Sequence, residues 1–593
     1  MMDPGAKRVD YGEQLNPPLG YKLHSALATT YSLDLETLSC ATLALSLGQT
    51  LEGDLEAEKL ALLESIDLLK SRLLIFHNVS NVHVPSKYSS LYALLEPYLV
   101  PVIGTTAFSA FHPKLWLLRF APLEGGTERF RLMVLSRNLT FDRSWDVAVS
   151  LDGMPDSRPR VVNDPLIAFL RQLPADGDTS TAIETWCEAL ARVAWDVPNP
   201  FTEARFLPGS PSSVPLELEG HFDELLVVSP FVDADPDGRL FSLSARTPKE
   251  RKMLVSRSDT LNRLGKERLR GWQCYSIPDA IIDGEDQFDD GERRLNDLHA
   301  KMIIATQNRL AVWHIGSANM TNAAFGQGIG APRNTEFMLR LTAPARESGA
   351  SAVVQQWFDA RLIVRHEFVE PVPLETAQEA VARKLIHEIV ATAWCMTATM
   401  ATGDTYIVRV EAPSVPTVPK GIEVTVELLC RPSEQELAPR LEWTGVRLCE
   451  VSAFVTVHVT STRTQPHTRL QSFALKTDLV SPVHEARRQA VFRDVVSTPQ
   501  RLLNYLELLV DPGATKGKWL RGEKKGGDGG VVLGFDGNGG LYEQLLRAAA
   551  RSPARIGRAI EVAACVAGEG IDMPEGLREL LHSFEQVTRE AGQ

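Results

Sequence analysis

Two stretches of this chain carry the same polar residues in the same order. His112-Pro113-Lys114 is followed by an apolar run and then Ser136-Arg137-Asn138-Leu139-Thr140, and His299-Ala300-Lys301 by a similar run and then Ser317-Ala318-Asn319-Met320-Thr321. The gap from His to Ser is 24 residues in the first copy and 18 in the second. Of 13 histidines, only these two open an HxK pattern, so the SxNxT that follows each is a duplicated chemical kit rather than filler. A chain that repeats such a kit is expected to fold the same unit twice and to bring the two half-sites together.

The residue types point to phosphate chemistry. In FHPKLWLLRF and LHAKMIIAT the His and Lys are two apart, which on a strand puts both on one face. The next apolar runs, RLMVLSR and NRLAVWHIGSA, end in the Ser and Asn that can donate to the same anion. Two histidines can divide the work of displacement at phosphorus, one attacking and the other protonating the leaving oxygen, while Lys114, Lys301, Asn138 and Asn319 offset the charge that develops. A nucleophilic imidazole also needs an acceptor on its far nitrogen. Asp146 in RSWDVAVSL and Glu336 in RNTEFMLRL occupy equivalent places after each SxN segment and are the candidates, with Ser136 and Ser317 as supporting groups. Asn322 reads as a helix-starting residue.

The paired HxK motifs resemble those of the phospholipase D superfamily. Its commonest form carries an Asp seven residues beyond each His, where this chain has Arg119 and Thr306. Both departures match the HxK-then-Asn variant of tyrosyl-DNA phosphodiesterases, and GSANMTNAAFG is similar to their second motif. The resemblance covers about residues 20–370. It implies an α/β fold of two similar halves around one site, a phosphohistidine intermediate with the first motif's His as nucleophile, no cofactor and no metal, and DNA, single- or double-stranded, as substrate. Phospholipid-headgroup hydrolysis and a catalytically idle binding scaffold are the alternatives the same fold allows.

Composition narrows the setting. A net charge of −13 argues against nonspecific coating of nucleic acid but permits a local basic cleft, for which Arg137, Arg143, Arg293 and Arg294 are the neighbours of the motifs. Seven cysteines without CxxC spacing give no zinc site and no disulfide framework, and fit a reducing cytoplasm. The N-terminal residues lack the charged start and apolar stretch of an export signal, and no window is long and apolar enough for a membrane span, so a membrane partner is not expected.

Apolar spacing divides the 593 residues into four regions. Residues 1–203 and 204–372 are the two α/β halves, with a Pro- and Ser-rich, aperiodic stretch, WDVPNPFTEARFLPGSPSSVP, between them. Residues 373–485 alternate and are rich in Val and Thr, which predicts a small β-sandwich; 486–593 are helical. The Gly-rich GEKKGGDGGVVLGFDGNGG has no phosphate-binding GxxxxGK[ST], and the basic KGKWLRGEKK beside it reads as a surface loop. Appended regions of this kind occur in bacterial phospholipase D-like proteins of DNA restriction and phage defence. By that analogy a helicase or other defence-system protein is the expected partner, and oligomeric state stays open.

Overall fold

The computed structural model describes residues 11–48, 59–141, 144–278, 298–327, 330–371, 377–402, 405–463, 466–496 and 505. Its first sheet holds seven strands, β1 (Tyr21–Thr30), β2 (Leu73–Asn78), β3 (Leu99–Val102), β4 (Leu115–Pro122), β5 (Arg129–Leu135), β6 (Ala148–Pro155) and β7 (Val193–Trp195), in the order β3-β2-β1-β4-β5-β6-β7. The second holds eight: β8 (Glu203–Gly209), β9 (Glu224–Val228), β10 (Lys252–Val255), β11 (Trp272–Ser276), β12 (Met302–Gln307), β13 (Leu310–Gly316), β14 (Glu336–Pro344) and β15 (Val364–Arg365). Their order is β15-β11-β10-β9-β12-β13-β14-β8, so β11-β10-β9-β12-β13-β14 repeats β3-β2-β1-β4-β5-β6 strand for strand.

Alternation explains why these strands are apolar throughout. Leu115 and Leu117 of β4 enter one core while Trp116 and Leu118 enter another, and Met302 and Ile304 of β12 part from Ile303 and Ala305 in the same way. The shared core is the one that joins the halves. It contains Leu115, Phe130 and Leu132 of the first sheet together with Val228, Trp313 and Ile315 of the second. Edge-to-face pairs span it, Trp145 with Trp357 at 4.9 Å and Phe169 with Phe337 at 5.2 Å between ring centroids. The outer face of the first sheet is covered by helices Leu35–Leu47 and Lys59–Leu68, the former ending where Gly48 turns left-handed (φ 61°).

Beyond helix Ala377–Ala391 lie two four-stranded sheets that enclose a separate core. One runs β20 (Arg440–Arg447), β17 (Thr405–Glu411), β16 (Cys395–Met400), β23 (Asp478–Leu479); the other β19 (Arg431–Glu436), β18 (Ile422–Leu428), β21 (Phe454–Ser461), β22 (Thr468–Lys476). This β-rich region sits on residues 79–99 of the first half. Val79 enters its core and Ala474 N donates to Val82 O at 2.8 Å, while the buried Arg487, on helix His484–Val495 just beyond it, donates to Glu96 at 2.8 Å.

Three local expectations change. The apolar run LLIFHNVSNVHV reads as one buried strand, but β2 stops at Asn78 and gives way to a single 3-10 turn, Val79–Asn81, stapled by Asn78 Nδ2 donating to Asn81 Oδ1 at 2.7 Å. EARFLPG, read as part of an aperiodic linker, is β8, because β14 offers it a free edge from Thr342 to Glu336; pairing there overrides weak local pattern. Finally, neither HxK lies on a strand face, since β4 and β12 begin one residue after each Lys. Helix His484–Val495 is the last described element, so the remaining predicted helices, the Gly-rich segment and KGKWLRGEKK fall outside the described residues.

Candidate functional site

Each HxK segment is held by the opposite half. Phe111 bridges in parallel to Thr335 and His112 N donates to Thr335 O at 2.9 Å; Leu298 bridges in parallel to Trp145, whose carbonyl accepts from His299 N at 3.0 Å and Ala300 N at 2.8 Å. The residues just before Glu336 and Asp146 thus seat the motif of the other copy. This exchange also explains why the HxK segments are extended without belonging to a sheet: their backbone groups pair across the boundary between halves.

Serine and carboxylate then lock together in both copies. Ser136 Oγ donates to Asp146 Oδ1 at 2.7 Å and accepts from Val147 N at 2.9 Å. Ser317 Oγ donates to Glu336 Oε2 at 2.5 Å and accepts from Phe337 N at 2.9 Å. Glu336 in turn lies 2.8 Å from His112 Nδ1, so a carboxylate of the second half orients the imidazole of the first. Asn334, two residues earlier, donates its Nδ2 to Glu336 Oε1 at 3.0 Å and takes Ala110 N on its Oδ1 at 3.1 Å, fixing the loop before His112.

The lysines are buried, Lys114 at 1 % and Lys301 at 3 % exposure, and each turns back on its own motif. Lys114 Nζ donates to His112 O at 3.0 Å and Lys301 Nζ to His299 O at 2.6 Å. Burial, then the positive charge of Lys301, pulls Lys114 well below the usual lysine range, against the partial opposition of Glu336 and Asp146. Burial likewise lowers His112 to about 4, although the Glu336 carboxylate favours its protonated form. Glu336 is lowered to about 2, because His112, Lys114 and Ser317 together outweigh its own desolvation. Near neutral pH the pair is therefore a neutral imidazole with its Nδ1 proton on an ionised carboxylate, which turns the lone pair to Nε2.

Asn138 and Asn319 end the two copies. Asn138 Oδ1 accepts from Ser32 N at 3.4 Å, while the buried Asn319 Oδ1 has no hydrogen-bond partner among the described residues. Asn322 starts the short helix Asn322–Phe325, its N donating to Asp233 Oδ2 at 2.6 Å and its Nδ2 to Asp235 Oδ2 at 2.7 Å, a structural part. Arg137 NH2 closes its own loop on Thr140 O at 2.8 Å; Arg143, Arg293 and Arg294 lie outside the described residues. Arg119 lies in the middle of β4, where its guanidinium pairs with Glu128 at 2.9 Å, and Thr306 stands next to the last residue of β12.

Sequence reasoning missed Asn334, Tyr31 and Asn78. Tyr31 sets its ring edge-on to His112 at 5.0 Å between centroids, with Lys114 Nζ 5.6 Å from the same ring. Asn78 Oδ1 accepts from Phe111 N at 3.1 Å. A signal for Asn334 was present: Arg333-Asn334-Thr335-Glu336 runs parallel to Arg143-Ser144-Trp145-Asp146. Tyr31 and Asn78 lie at the ends of β1 and β2, far from the motifs in sequence, and no spacing reveals them.

The assembly offers a neutral imidazole, buried lysine amino groups and amides within one boundary. Among the described residues, the group whose donor atoms converge as metal ligands do is Glu427, Glu434 and His458, in the β-rich region rather than here, where His458 pairs with Glu427 at 3.1 Å and Glu434 with Arg469 at 3.3 Å.

No family model and no curated protein sequence matches the chain. Among solved structures it is similar to yeast tyrosyl-DNA phosphodiesterase, at 12% identity and a TM-score of 0.36 over 56% of this chain and 84% of that one. The H432N_Glu mutant of the yeast protein gives 12% and 0.37 over 56% and 85%. Polyphosphate kinase from Porphyromonas gingivalis gives 10% and 0.29 over 63% of this chain and 52% of the kinase. At these scores the overlay is partial, and the functional reading rests on the residues of the site.

Proposed function

We propose that this chain is a metal-independent phosphodiesterase of the phospholipase D type that cleaves DNA through a phosphohistidine intermediate. The observation that carries the reading is the 2.8 Å contact of His112 Nδ1 with the buried Glu336 of the other half, inside a kit that recurs around His299. His112 Nε2 attacks phosphorus as the P–O bond to the leaving group breaks, and His299 gives its proton to the departing oxygen. His299 then takes a proton from water, which attacks the phosphohistidine, breaks the P–N bond and restores neutral His112. Lys114, Lys301, Asn138 and Asn319 stabilise the charge on the phosphoryl oxygens. Glu336 and Asp146, each clamped by a Ser, are the orienting carboxylates. DNA as the substrate rests on the HxK-then-Asn pattern and its likeness to tyrosyl-DNA phosphodiesterases.

The test is cleavage of labelled single-stranded and duplex DNA in excess EDTA by the wild type, His112→Ala and His299→Ala. Cutting that survives EDTA and falls by at least about 10³-fold in each variant supports the reading. Denaturing gels of enzyme quenched in base should show a labelled adduct in the His299→Ala protein and none in His112→Ala, and acid treatment should release that label, as a P–N bond requires. Cutting equal in all three proteins overturns it.

A further inference from the structure

The distal end of the first sheet holds a second feature that the two-histidine chemistry does not use. A groove of about 540 Å³ opens between the start of β1, the end of β4, the turn before β2 and helix Gly177–Leu190. Lys22, His24, Lys70, Arg72 and Arg119 all line it. Lys22, Lys70 and Arg72 are exposed and have no ion pair among the described residues; Arg119 is held by Glu128 at 2.9 Å. On a chain of net charge −13, three uncompensated cations around one concavity repel one another and are relieved by a bound anion.

The rest of the lining suits a phosphate ester. Ser25, Ser71 and Thr185 supply hydroxyl donors, and Ala182 with the edge of the otherwise buried Trp186 supplies a small apolar patch. Ser71 takes a left-handed turn (φ 60°) between Lys70 and Arg72, which sends those two neighbours to the same mouth. Burial, and next the charge of Arg119, holds His24 below its ordinary value, with Glu128 opposing and Arg72 adding to the effect, as expected where positive potential collects. Arg119 is the residue found where the phospholipase D motif commonly has Asp, so the departure from that motif contributes to this groove. From Arg119, the lining residue nearest the motifs along β4, to Leu115 the strand runs roughly 13 Å at about 3.3 Å per residue, and His112 lies beyond that end, so the groove is separate from the histidines.

We propose that this groove is a second, non-catalytic binding site for a nucleotide phosphate. The phosphate meets Lys22, Lys70 and Arg72, and the nucleoside lies over Ala182 and the edge of Trp186 that reaches the groove. The same chemistry comes from a free nucleotide or from a nucleic-acid strand continuing away from the cleavage point.

Isothermal titration with AMP, adenosine, inorganic phosphate and a short single-stranded oligonucleotide tests this on the full chain. AMP should bind and adenosine should not. Lys22→Ala/Lys70→Ala/Arg72→Ala should weaken AMP by roughly tenfold or more, as loss of phosphate contacts requires, and Lys22→Arg/Lys70→Arg should retain it. A greater loss for the oligonucleotide than for AMP identifies a strand as the source, and the reverse a free nucleotide. Equal AMP affinity in the wild type and the triple alanine variant, equal binding of AMP and adenosine, or no binding by the wild type overturns the site. None of these results depends on whether the histidines cleave anything.

Discussion

His112 shows how much a single contact sets. Without Glu336 its ring would be free to rotate, and its lone pair would have no fixed direction. Glu336→Gln keeps the shape and removes the charge, so metal-free cleavage should fall by about 10- to 100-fold, mainly in kcat. Because the carboxylate favours the protonated imidazole, its loss should also move the acidic limb of the pH–rate profile to lower pH. A rate loss with an unmoved profile would assign Glu336 a purely structural role. His112, Lys114, Glu336 and their partners in the second copy were legible as a pair of matched motifs. The direction of each contact was not, because no spacing says that Glu336 reaches across to the other copy's His.

At the scale of elements, the strand ends do the positioning. β13 ends at Gly316, where an added Cβ would run into the carbonyl of Phe337 on β14. Close approach of these two strands is what lets Ser317 Oγ meet both Glu336 and Phe337 N. Gly316→Ala should lower stability by about 2 kcal/mol or more through overpacking, and should lower activity with it. Ser317→Ala leaves the strands in place but strips hydrogen bonds from a buried carboxylate; a loss of about 1–3 kcal/mol in urea denaturation is expected. An unchanged midpoint in either variant would deny the clamp its role. Continuous apolar runs made β4, β5, β12 and β13 readable in the sequence. β8 was not, since its pairing with β14 depends on an edge that exists only once the second sheet has formed.

For the whole molecule, the helix His484–Val495 that follows the β-rich region and the first half share a buried ion pair, Glu96 with Arg487, at 6 % and 4 % side-chain exposure. Removing one partner leaves the other charged and buried, so Arg487→Ala should cost about 3–5 kcal/mol, and Glu96→Leu/Arg487→Met should recover much of it. Thermal unfolding of the three proteins checks this, and an Arg487→Ala protein as stable as the wild type would refute it. Acid should also weaken the fold in two stages. His77 and His112 are lowered to about 4 and His314 to about 3, chiefly by burial, against about 6.5 when unfolded. Between those values the unfolded chain binds more protons, so stability falls as pH drops from about 6.5 towards 4, by up to about 1.4 kcal/mol per pH unit for each histidine. Glu336, lowered to about 2, adds a loss below about 4.5. Urea midpoints that stay level from pH 7 to 5 would contradict the first stage. The sequence alone determined the duplication and the residue types of the site, because period-2 apolar patterns and matched polar motifs are local properties of the chain. Tertiary structure alone decided that each motif is seated by the other half, that Tyr31 and Asn78 join it, and that cations from β1, β4 and a distant turn share one groove. Those are contacts between residues far apart in sequence, and only packing of the two sheets and their flanking helices brings them within hydrogen-bond and Coulomb range.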